Sequence, residues 1–543
     1  MKLKLMSALL CGAVMLSAVT CNAAVKGDVD LDNKITATDA TFAMQYTLVG
    51  SKTNFTDEQI KAADFDEDGV VTASDASYIL QKTLRPEFDI KKDDPKPDNP
   101  DTSDGVVVAS FDELTNAISA GEKKIYVKGS IYCTNRLELK SANAGMEFYG
   151  LTNDDGTGAA FNFAGLRDSQ SSSGSGGTGI YISGTGYSFK NLIIENAGDC
   201  GVRITGSSAG DCTFTNCVFR YNNNSGISVT KGGHDNKFYN CDSYRNGDIV
   251  QKSGADADGY SVKLAAGAGN YFYNCRAWEN SDDGWDSYDR KSDGGLVPDV
   301  TYIECLAWHN GNPDTFTGEY DYKMGYPLDK NLIYVKALIA ADSSFEHKYN
   351  NRELDLNNWP QVTMKLLGKT NTYSKLYSAW GGNPNGFKFG SAESDSTEYR
   401  YIENCIAFDH YGNGGKPVQY RAKGFDQNCG DTDETSQNGA KLIHYDMKNI
   451  LSFNNVENIQ MSRMTADSIN GVVWSFDNCL PPENDTEHYA AGGYADQPSE
   501  GMTIIEPANK DELRDKVYAY REMIYSYVYN DKIPGEQICD VFN

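Results

Sequence analysis

The stretches TNCVFRYN (215–222), YNCDSYRN (239–246) and YNCRAWEN (273–280) repeat one pattern, in which Asn-Cys is followed by another Asn five residues after the Cys. Related copies are IECLAWHN (303–310), ENCIAFDH (403–410) and KNILSFNN (448–455). The first spacings between the cysteines are 24, 34 and 30 residues. Irregular repeats of this length are typical of a solenoid of stacked coils. The pattern therefore predicts an all-β fold, a parallel β-helix.

The two repeated residue types have different expected roles. We expect the cysteines to face inward as small hydrophobic residues, and the asparagines to stack from coil to coil and satisfy backbone groups of the turns. A metal-binding cysteine set is the alternative, but no Cys-x-x-Cys pair occurs. A β-propeller is a rival fold. Its repeats carry Gly-His and Trp-Asp motifs, but here each dipeptide occurs once, at 233–234 and 285–286, and does not repeat.

The N-terminus predicts export. Lys2 and Lys4 precede an apolar run over residues 5–19, and small residues follow at 21–24. This is the pattern of a secretory signal peptide, so residues 1–24 are expected to direct the protein outside the cell. Eleven cysteines remain after this segment, an odd number at wide spacings, which does not indicate a disulfide framework.

Charge and hydropathy limit the partners. The formal net charge is −27, which argues against binding to nucleic acid or to an anionic membrane surface, since both require a basic patch. No later segment approaches the roughly 20 apolar residues that span a bilayer. Cys21 raises the alternative of lipidation, but Thr20 before it is a poor match to a lipobox.

An acidic motif is duplicated near the N-terminus. DVDLDNK (28–34) recurs 36 residues later as DFDEDGV (64–70), and each copy has an Asp at position 12. Alternate acids in a tight loop converge on one point, as in calcium loops, where position 7 contributes a backbone carbonyl. The predicted calcium ligands are Asp28, Asp30, Asp32, Lys34 and Asp39 in the first loop and Asp64, Asp66, Asp68, Val70 and Asp75 in the second.

At position 6 the second loop has Gly69 and the first has Asn33, the next-best residue at positive φ. Short helices are expected after each loop, at 40–48 and 76–84. Residues 26–88 resemble a type I dockerin, which implies a cohesin domain on a scaffoldin as partner. Positions 10 and 11 depart from the common Ser-Thr pair, so the type of cohesin stays open.

Composition suggests the remaining boundaries. We expect the dockerin at 25–90, a charged, Pro-bearing linker at 91–104, the β-helix at 105–505, and a helical segment at 506–543 that caps the end of the β-helix. Ser110 is the expected N-cap of a short helix at the start of the large domain, with Glu113 three residues on.

The densest acidic motif of the large domain is NSDDGWDSYD (280–289), and DADGY (256–260) lies upstream. Asp258 precedes Asp282 by 24 residues, about one coil, so it is expected beside Asp282, Asp283 and Asp286. Four adjacent carboxylates repel unless a cation neutralises them, and all-oxygen ligands favour calcium or magnesium. We expect this site on the outer surface of the β-helix. The alternative is a solvated acidic turn.

A second motif, GGNPNGFKFG (381–390), leads from a loop into a strand that carries Lys388. A lysine in such a strand usually faces solvent. The functional alternative is a base beside a metal ion, whose charge would lower the pKa of the lysine.

These motifs resemble the family 9 polysaccharide lyases, which are right-handed parallel β-helix pectate lyases. The resemblance rests on Asp258-Gly259-Tyr260, Ser281 to Asp286, Asn385 to Lys388 and Lys423 to Asn428, and it covers roughly residues 106–480. It implies that Asp258, Asp282, Asp283 and Asp286 bind the catalytic calcium and that Lys388 is the Brønsted base. The implied reaction is β-elimination on polygalacturonate (pectate).

One departure and three rivals remain. Asp286 and Lys388 are 102 residues apart, longer than the resemblance suggests, and the intervening Tyr320, Trp359 and Trp380 are expected to wall the groove. A β-helical polygalacturonase would need Gly-His-Gly and Arg-Ile-Lys motifs, and neither occurs. The other rivals are a lyase for a different uronate backbone and a non-catalytic pectin-binding module.

Overall fold

The computed structural model describes residues 25–50, 54–66, 69–84, 99–167, 176–288, 299–365, 372–373, 376, 380–390, 399–410, 422–428, 444–461, 472–478, 496 and 502–542. The predicted signal peptide lies outside these residues. The chain divides into two compact units, 1–94 and 95–543, which are described separately.

In its described part, the N-terminal unit contains three helices, Ala37–Val49, Asp57–Ala63 and Ala73–Leu84. They enclose a small core that includes Val29, Phe65 and Ile79. The first helix begins three residues before the expected start because Thr36 is its N-cap and Asp39 accepts the Thr36 backbone N–H at 2.8 Å. The acid at loop position 12 is thus also the third residue of the helix, a position that favours an acidic side chain.

Three parallel sheets form the second unit. In stacking order, sheet 1 consists of Val106–Val108, Lys124–Lys128, Glu147–Leu151, Ser188–Lys190, Thr213–Thr215, Lys237–Tyr239, Asn270–Tyr273, Val300–Ile303, Tyr399–Glu403 and His444–Lys448. Sheet 2 consists of Leu137–Leu139, Ile180–Ile182, Val202–Thr205, Ile227–Thr230, Tyr260–Val262, Trp285–Asp286, Asn385–Lys388, Lys423–Asp426 and Glu457–Gln460. Sheet 3 consists of Ser130–Tyr132, Ala159–Asn162, Leu192–Glu195, Val218–Arg220, Asp242–Tyr244, Arg276–Trp278, Leu306–Trp308, Ile406–Phe408, Ile450–Phe453, Val472–Phe476 and Thr503–Ile505.

Each complete coil contributes one strand to each sheet, so strands that are neighbours in a sheet belong to successive coils. The predicted right-handed parallel β-helix is confirmed. Inside the coils, aromatic rings stack in register: the centroids of Phe148, Phe189, Phe214, Phe238 and Phe272 are separated by 4.9, 4.8, 5.1 and 4.7 Å in turn. These distances equal the spacing of hydrogen-bonded strands, so the core repeats with the backbone.

The repeat cysteines form the predicted inward row. The described cysteines are free thiols, and the row consists of Cys217, Cys241, Cys275, Cys305 and Cys405, all fully buried. Their Sγ atoms lie 3.3 to 3.5 Å from the carbonyl oxygen two residues earlier in the chain. They act as small hydrophobic residues with a weak donor.

The asparagine stack is also confirmed. Asn222 donates its backbone N–H and its Nδ2 to Oδ1 of Asn246, at 3.1 and 2.9 Å, and the same pair of bonds links Asn246 to Asn280 and Asn280 to Asn310. Each Nδ2 also donates to a carbonyl of the preceding coil. In four coils, the ladder therefore satisfies hydrogen-bonding groups of the backbone at the turn that precedes sheet 2.

In the next coil His410 takes the place of Asn in this ladder. Its Nδ1 lies 2.9 Å from Oδ1 of Asn455, and its Nε2 lies 3.3 Å from Nδ2 of Asn310. Because an amide nitrogen only donates and an amide oxygen only accepts, Nδ1 carries the proton and Nε2 accepts. The ladder requires a neutral imidazole, and burial lowers the pKa of His410 to about 3.

Helices lie outside the coils. They are Phe111–Ala120, Ala164–Arg167, Ile249–Lys252, Pro313–Thr317, Glu319–Met324, Ile333–Ala341, Phe345–Asn350 and Lys510–Val528, with 3₁₀ turns at Ser141–Asn143 and Leu356–Asn358 and an antiparallel pair formed by Met364–Lys365 and Thr372–Tyr373. Ser110 is the N-cap of the first of these, as predicted. Within the described residues, no helix is both long and apolar enough to cross a bilayer.

The expectation that the C-terminal helix caps the end of the β-helix is wrong. The helix lies against the outer face of sheet 3, where the Tyr525 hydroxyl contacts Glu279 and Trp308, and Arg521 contacts Asp409 at 2.8 Å. The reason is an outward row of stacked rings on that sheet, which includes Trp278, Trp308 and Phe408. The helix buries this row.

The expectation that three aromatic residues between Asp286 and Lys388 wall the groove is also wrong. Tyr320, Trp359 and Trp380 are 3, 7 and 0 % exposed. Trp359 and Trp380 belong to the hydrophobic cluster on the outer face of sheet 3, and the Trp380 Nε1–H donates to the Gly311 carbonyl at 2.7 Å. Burial of these rings stabilises the insertion on the flank of the β-helix.

Substituting His410 by Asn should remove an acid-sensitive contribution to stability. The folded-state pKa lies near 3 and the ordinary value is 6.5, so the unfolded chain binds the proton more readily. The contribution of neutral His410 to the free energy of unfolding is complete above about pH 6.5. It is lost as the pH falls toward 3, by up to about 1.4 kcal/mol per pH unit.

The measurement is the unfolding temperature of the wild type, His410→Asn and His347→Asn across this pH range. His347 is exposed and serves as the control. We expect the wild type and His347→Asn to lose stability more steeply with acid than His410→Asn. Parallel curves for the wild type and His410→Asn would contradict the assignment.

Candidate active site

Register brings distant residues of the sequence together on the outer face of sheet 2. Ser261 pairs with Asp286, Asp286 with Lys388, and Lys388 with Asp426 in four successive strands. The inward neighbours Trp285 and Phe387 stack at 4.5 Å and hold the same register. The 102 residues between Asp286 and Lys388 therefore leave the two side chains one coil apart.

Three of the four predicted carboxylates converge. Asp258, Asp282 and Asp283 each offer an oxygen within 4.8 Å of the others, and they are 0, 5 and 0 % exposed. Asp286 is also buried and is linked to the group through shared lysines. The cluster lies on the outside of the coil wall, but it is shielded from solvent, unlike a solvated acidic turn.

Two lysines face these carboxylates. The Lys388 Nζ lies 2.8 Å from Asp283 Oδ2 and 3.3 Å from Asp286 Oδ1. The Lys263 Nζ lies 2.7 Å from both Asp258 Oδ2 and Asp286 Oδ2. Both side chains are mostly buried, so their positive charge acts on the carboxylates with little screening by water.

Lys263 is a member of the site that the sequence motifs did not reveal. It stands just beyond the strand Tyr260–Val262, two residues after Ser261 and therefore on the same side of the sheet. Ser261 lies in the site, since its hydroxyl donates to Asp258 Oδ2 at 2.5 Å. The alternation of side chains along the strand was the available signal that Lys263 lies there too. A single lysine after a short strand is not a specific motif.

The loop that returns from the insertion passes close to the carboxylates. The Asn383 backbone N–H donates to Asp282 Oδ1 at 2.5 Å. A Cβ atom at Gly382 would lie 1.9 Å from the Ser281 carbonyl oxygen, so only glycine permits this approach. The glycines of 381–386 thus let the backbone reach the cluster.

Burial and mutual repulsion shape the titration of the cluster. Burial, followed by the charge of neighbouring aspartates, raises the pKa values of Asp282 and Asp283 well above their ordinary value. Burial also raises the pKa of Asp286, but Lys263 and Lys388 outweigh it and hold that pKa below the ordinary value. Burial lowers the pKa of Lys388, but the four carboxylates outweigh it, and the net pKa lies well above the ordinary value.

The donor set fits a hard divalent cation. Asp258 Oδ1 and Asp283 Oδ1 are buried without a hydrogen-bond partner, and both belong to the group of three converging carboxylates. A buried carboxylate oxygen without a partner is costly, and a cation would satisfy it. Oxygen-only ligands favour calcium or magnesium over softer metals.

The duplicated loops of the N-terminal unit form two further acidic groups. Asp28, Asp30 and Asp32 converge in the first loop, and Asp64, Asp66 and Asp75 converge in the second. Asn33 has φ 69° and Gly69 has φ 92°, which confirms the predicted positive φ at position 6. Asp68 lies outside the described residues.

Position 12 has the same hydrogen bonds in both loops. Asp39 accepts from the backbone N–H groups of Val29 and Asp30, at 2.7 and 3.0 Å. Asp75 accepts from those of Phe65 and Asp66 at the same two distances. Position 12 therefore closes each loop, and the carbonyl groups of Lys34 and Val70 remain the predicted position-7 ligands.

Two family models match the chain. Residues 96–363 match the Pel9A-like, right handed beta helix region, and residues 26–84 match the dockerin type I domain.

Curated relatives share parts of the chain. It is 40 % identical over 153 residues to the pectate lyase L of Dickeya dadantii (strain 3937), with 27 % of this chain and 33 % of the relative covered. It is 41 % identical over 111 residues to the pectate lyase L of Dickeya chrysanthemi, covering 20 and 25 %, and 27 % identical over 242 residues to that of Paenibacillus polymyxa (strain SC2), covering 42 and 49 %. The chain spans between a quarter and a half of the length of these relatives.

Among solved structures, the crystal structure of pectate lyase Pel9A matches with 22 % identity, a TM-score of 0.44, and coverage of 73 % of this chain and 76 % of that one. The resemblances stated from the sequence are confirmed: residues 26–84 are similar to type I dockerin domains, and residues 96–363 are similar to the Pel9A-like right-handed β-helix region.

Proposed function

We propose that this protein is a secreted, calcium-dependent pectate lyase that cleaves polygalacturonate by β-elimination. The observation that carries the proposal is the pairing of Lys388 with Asp283 and Asp286, beside buried carboxylate oxygens that have no hydrogen-bond partner. The names of the relatives support the same substrate class.

Lys388 is the proposed base. The proton on C5 of a galacturonate unit lies α to the C6 carboxylate and is weakly acidic. The neutral Nζ removes this proton, and the electron pair left behind forms the C4–C5 double bond. The bond between C4 and the glycosidic oxygen breaks, and the oxygen leaves with the neighbouring sugar and takes up a proton from water. Positioning of such a base contributes typically 10²- to 10⁴-fold to the rate.

Asp258, Asp282, Asp283 and Asp286 are the proposed calcium ligands. Bound calcium would withdraw charge from the substrate carboxylate and so stabilise the developing enolate-like anion. Asp283 and Asp286 contact the Lys388 amino group, and Lys263 contacts Asp258 and Asp286. A bound divalent cation would compete for these carboxylates and lower the pKa of Lys388, so that the neutral amine is free to act as the base.

Substituting Asp283 by Ala should abolish calcium-dependent formation of the unsaturated product, because a converging carboxylate and a contact of Lys388 are both lost. The measurement is the growth of ultraviolet absorbance on polygalacturonate, with and without chelator, compared with rhamnogalacturonan. A hydrolase would produce reducing ends without this absorbance. Near wild-type turnover of the variant at low calcium would contradict the proposal.

Substituting Lys388 by Ala should lower kcat by at least about 10²-fold with little change in KM, because the base acts in the transition state. Lys388→Arg should not restore activity, since a guanidinium group stays protonated. Lys330→Ala, at an exposed ion pair, is the matched control. A nearly full kcat for Lys388→Ala would place the base elsewhere.

The dockerin supports a second part of the proposal, attachment to a cohesin domain of a scaffoldin outside the cell, in a cellulosome. We place this module at residues 25–90, the linker at 91–104 and the lyase domain at 105–505. Its calcium ligands are the four aspartates of each duplicated loop together with the carbonyl oxygens of Lys34 and Val70.

Calcium should be required to fold the dockerin. The converging aspartates of each loop repel one another, and burial together with neighbouring carboxylates raises the pKa of Asp30. We expect circular dichroism of residues 25–90 to show a gain of helix when calcium is added. Deletion of residues 26–88 should abolish cohesin binding and leave lyase activity intact. An unchanged spectrum would contradict the prediction.

A further inference from the structure

We propose that Asn385 supplies a further, neutral oxygen ligand to the cation site, and that Asp426 orients the amide for this role. The inference rests on the proposed cation site of Asp258, Asp282 and Asp283. It extends that site into the next coil of the β-helix and assigns a role to the motif KGFDQN (423–428).

Register places Asn385 one coil after Asp283. Asp283 stands two residues before Trp285 and Asn385 stands two residues before Phe387, and these two aromatic residues pair directly. The Gly284 N–H donates to the Asn385 carbonyl at 2.9 Å, which links the same coils. Equivalent positions of adjacent coils lie about 4.8 Å apart, so the two side chains are neighbours.

The amide of Asn385 is fully buried, and its two ends have different surroundings. Its Nδ2 lies 3.5 Å from Oδ2 of Asp426 in the following coil. Its Oδ1 is buried without a hydrogen-bond partner. Both Asn385 Oδ1 and Asp283 Oδ1 are without a partner. The oxygen and nitrogen of an amide point in different directions, and in this proposal Oδ1 lies on the side of Asp283.

Asp426 fixes this orientation. Its Oδ2 accepts from the Lys423 Nζ at 2.9 Å, and its Oδ1 accepts from the Asn428 N–H at 2.8 Å, so the carboxylate is held in place as an acceptor. A flipped amide would bring two oxygens together at Asp426. With Nδ2 at Asp426, Oδ1 of Asn385 lies on the side of the Asp283 carboxylate in this proposal. A cation between these two oxygens would stabilise the arrangement.

A neutral ligand also suits the charge of the site. The four carboxylates carry up to four negative charges, which already exceed the combined charge of Lys263 and a divalent cation, so a further charged ligand is not needed. Calcium takes 6–8 oxygen ligands, so more oxygens are needed than the converging carboxylates provide. Asn385 adds an oxygen without adding charge.

Terbium luminescence sensitised by tryptophan can test this ligand in the full-length chain. All six tryptophans lie at or after residue 278, and Trp285 is two residues from Asp283. The part of the tryptophan-sensitised signal that Asp283→Ala removes is therefore assigned to the β-helix site. Competition with calcium then gives the calcium affinity of this site without any measurement of activity.

We expect Asn385→Leu to weaken terbium and calcium binding by at least about tenfold, the scale of losses at residues that tune a metal site. Asn385→Asp keeps an oxygen at the same position and should bind at least as tightly as the wild type. Asp426→Leu should weaken binding, because the Asn385 amide loses its orienting acceptor. Thr230→Val, a polar-to-apolar change elsewhere in sheet 2, should leave the affinity unchanged.

The outcomes separate this inference from the proposed function. Wild-type affinity in Asn385→Leu, or equal losses in Asn385→Leu and Asn385→Asp, would overturn the ligand role, provided that Asp283→Ala abolishes the signal. A full signal in Asp283→Ala would instead overturn the proposed cation site and the role of Asn385 with it. Circular dichroism of each variant verifies that the β-helix is folded.

Discussion

The in-register stacking of parallel coils is the constraint on which the rest of this structure depends. Backbone hydrogen bonds hold each coil one strand spacing from the next, regardless of the length of chain between them. The step from Asp286 to Lys388 covers 102 residues and the step from Ser261 to Asp286 covers 25, yet both are single steps in sheet 2. Side chains with no local relation in the sequence thereby become neighbours.

Stacking also brings buried carboxylates and lysines of opposite charge next to one another, which lowers the free-energy cost of burying them. Four carboxylates and two lysines occupy a few adjacent positions on one sheet face, beneath the loop of residues 381–386. The asparagine ladder through Asn246 and Asn280 holds the turn that leads directly into Asp282 and Asp283. The lysines satisfy some of the carboxylate oxygens and leave others unpaired, and this is the observation on which we base the proposed cation site.

Much of the fold could be predicted because it repeats in the sequence. The Asn-Cys copies predicted the β-helix, and the one-coil spacing placed Asp258 beside Asp282. Contacts between non-repeating parts could not be predicted. Lys263 enters the site through strand alternation after Ser261, which is too common to be a motif. The position of the C-terminal helix could not be inferred, because it depends on the aromatic row outside sheet 3. The burial of Trp380 depends on its contacts with Phe316 and Gly311, which are also distant in the sequence.

The central claim is that a cation joins the buried carboxylates while Lys388 turns from Asp283 to the substrate. A crystal structure of the full chain with calcium and an oligogalacturonate tests it most directly. We expect anomalous density between Asp258, Asp282 and Asp283, with the Lys388 Nζ facing C5 of a bound galacturonate. An intact contact between Lys388 and Asp283, with no ion among the carboxylates and substrate bound elsewhere, would contradict the account.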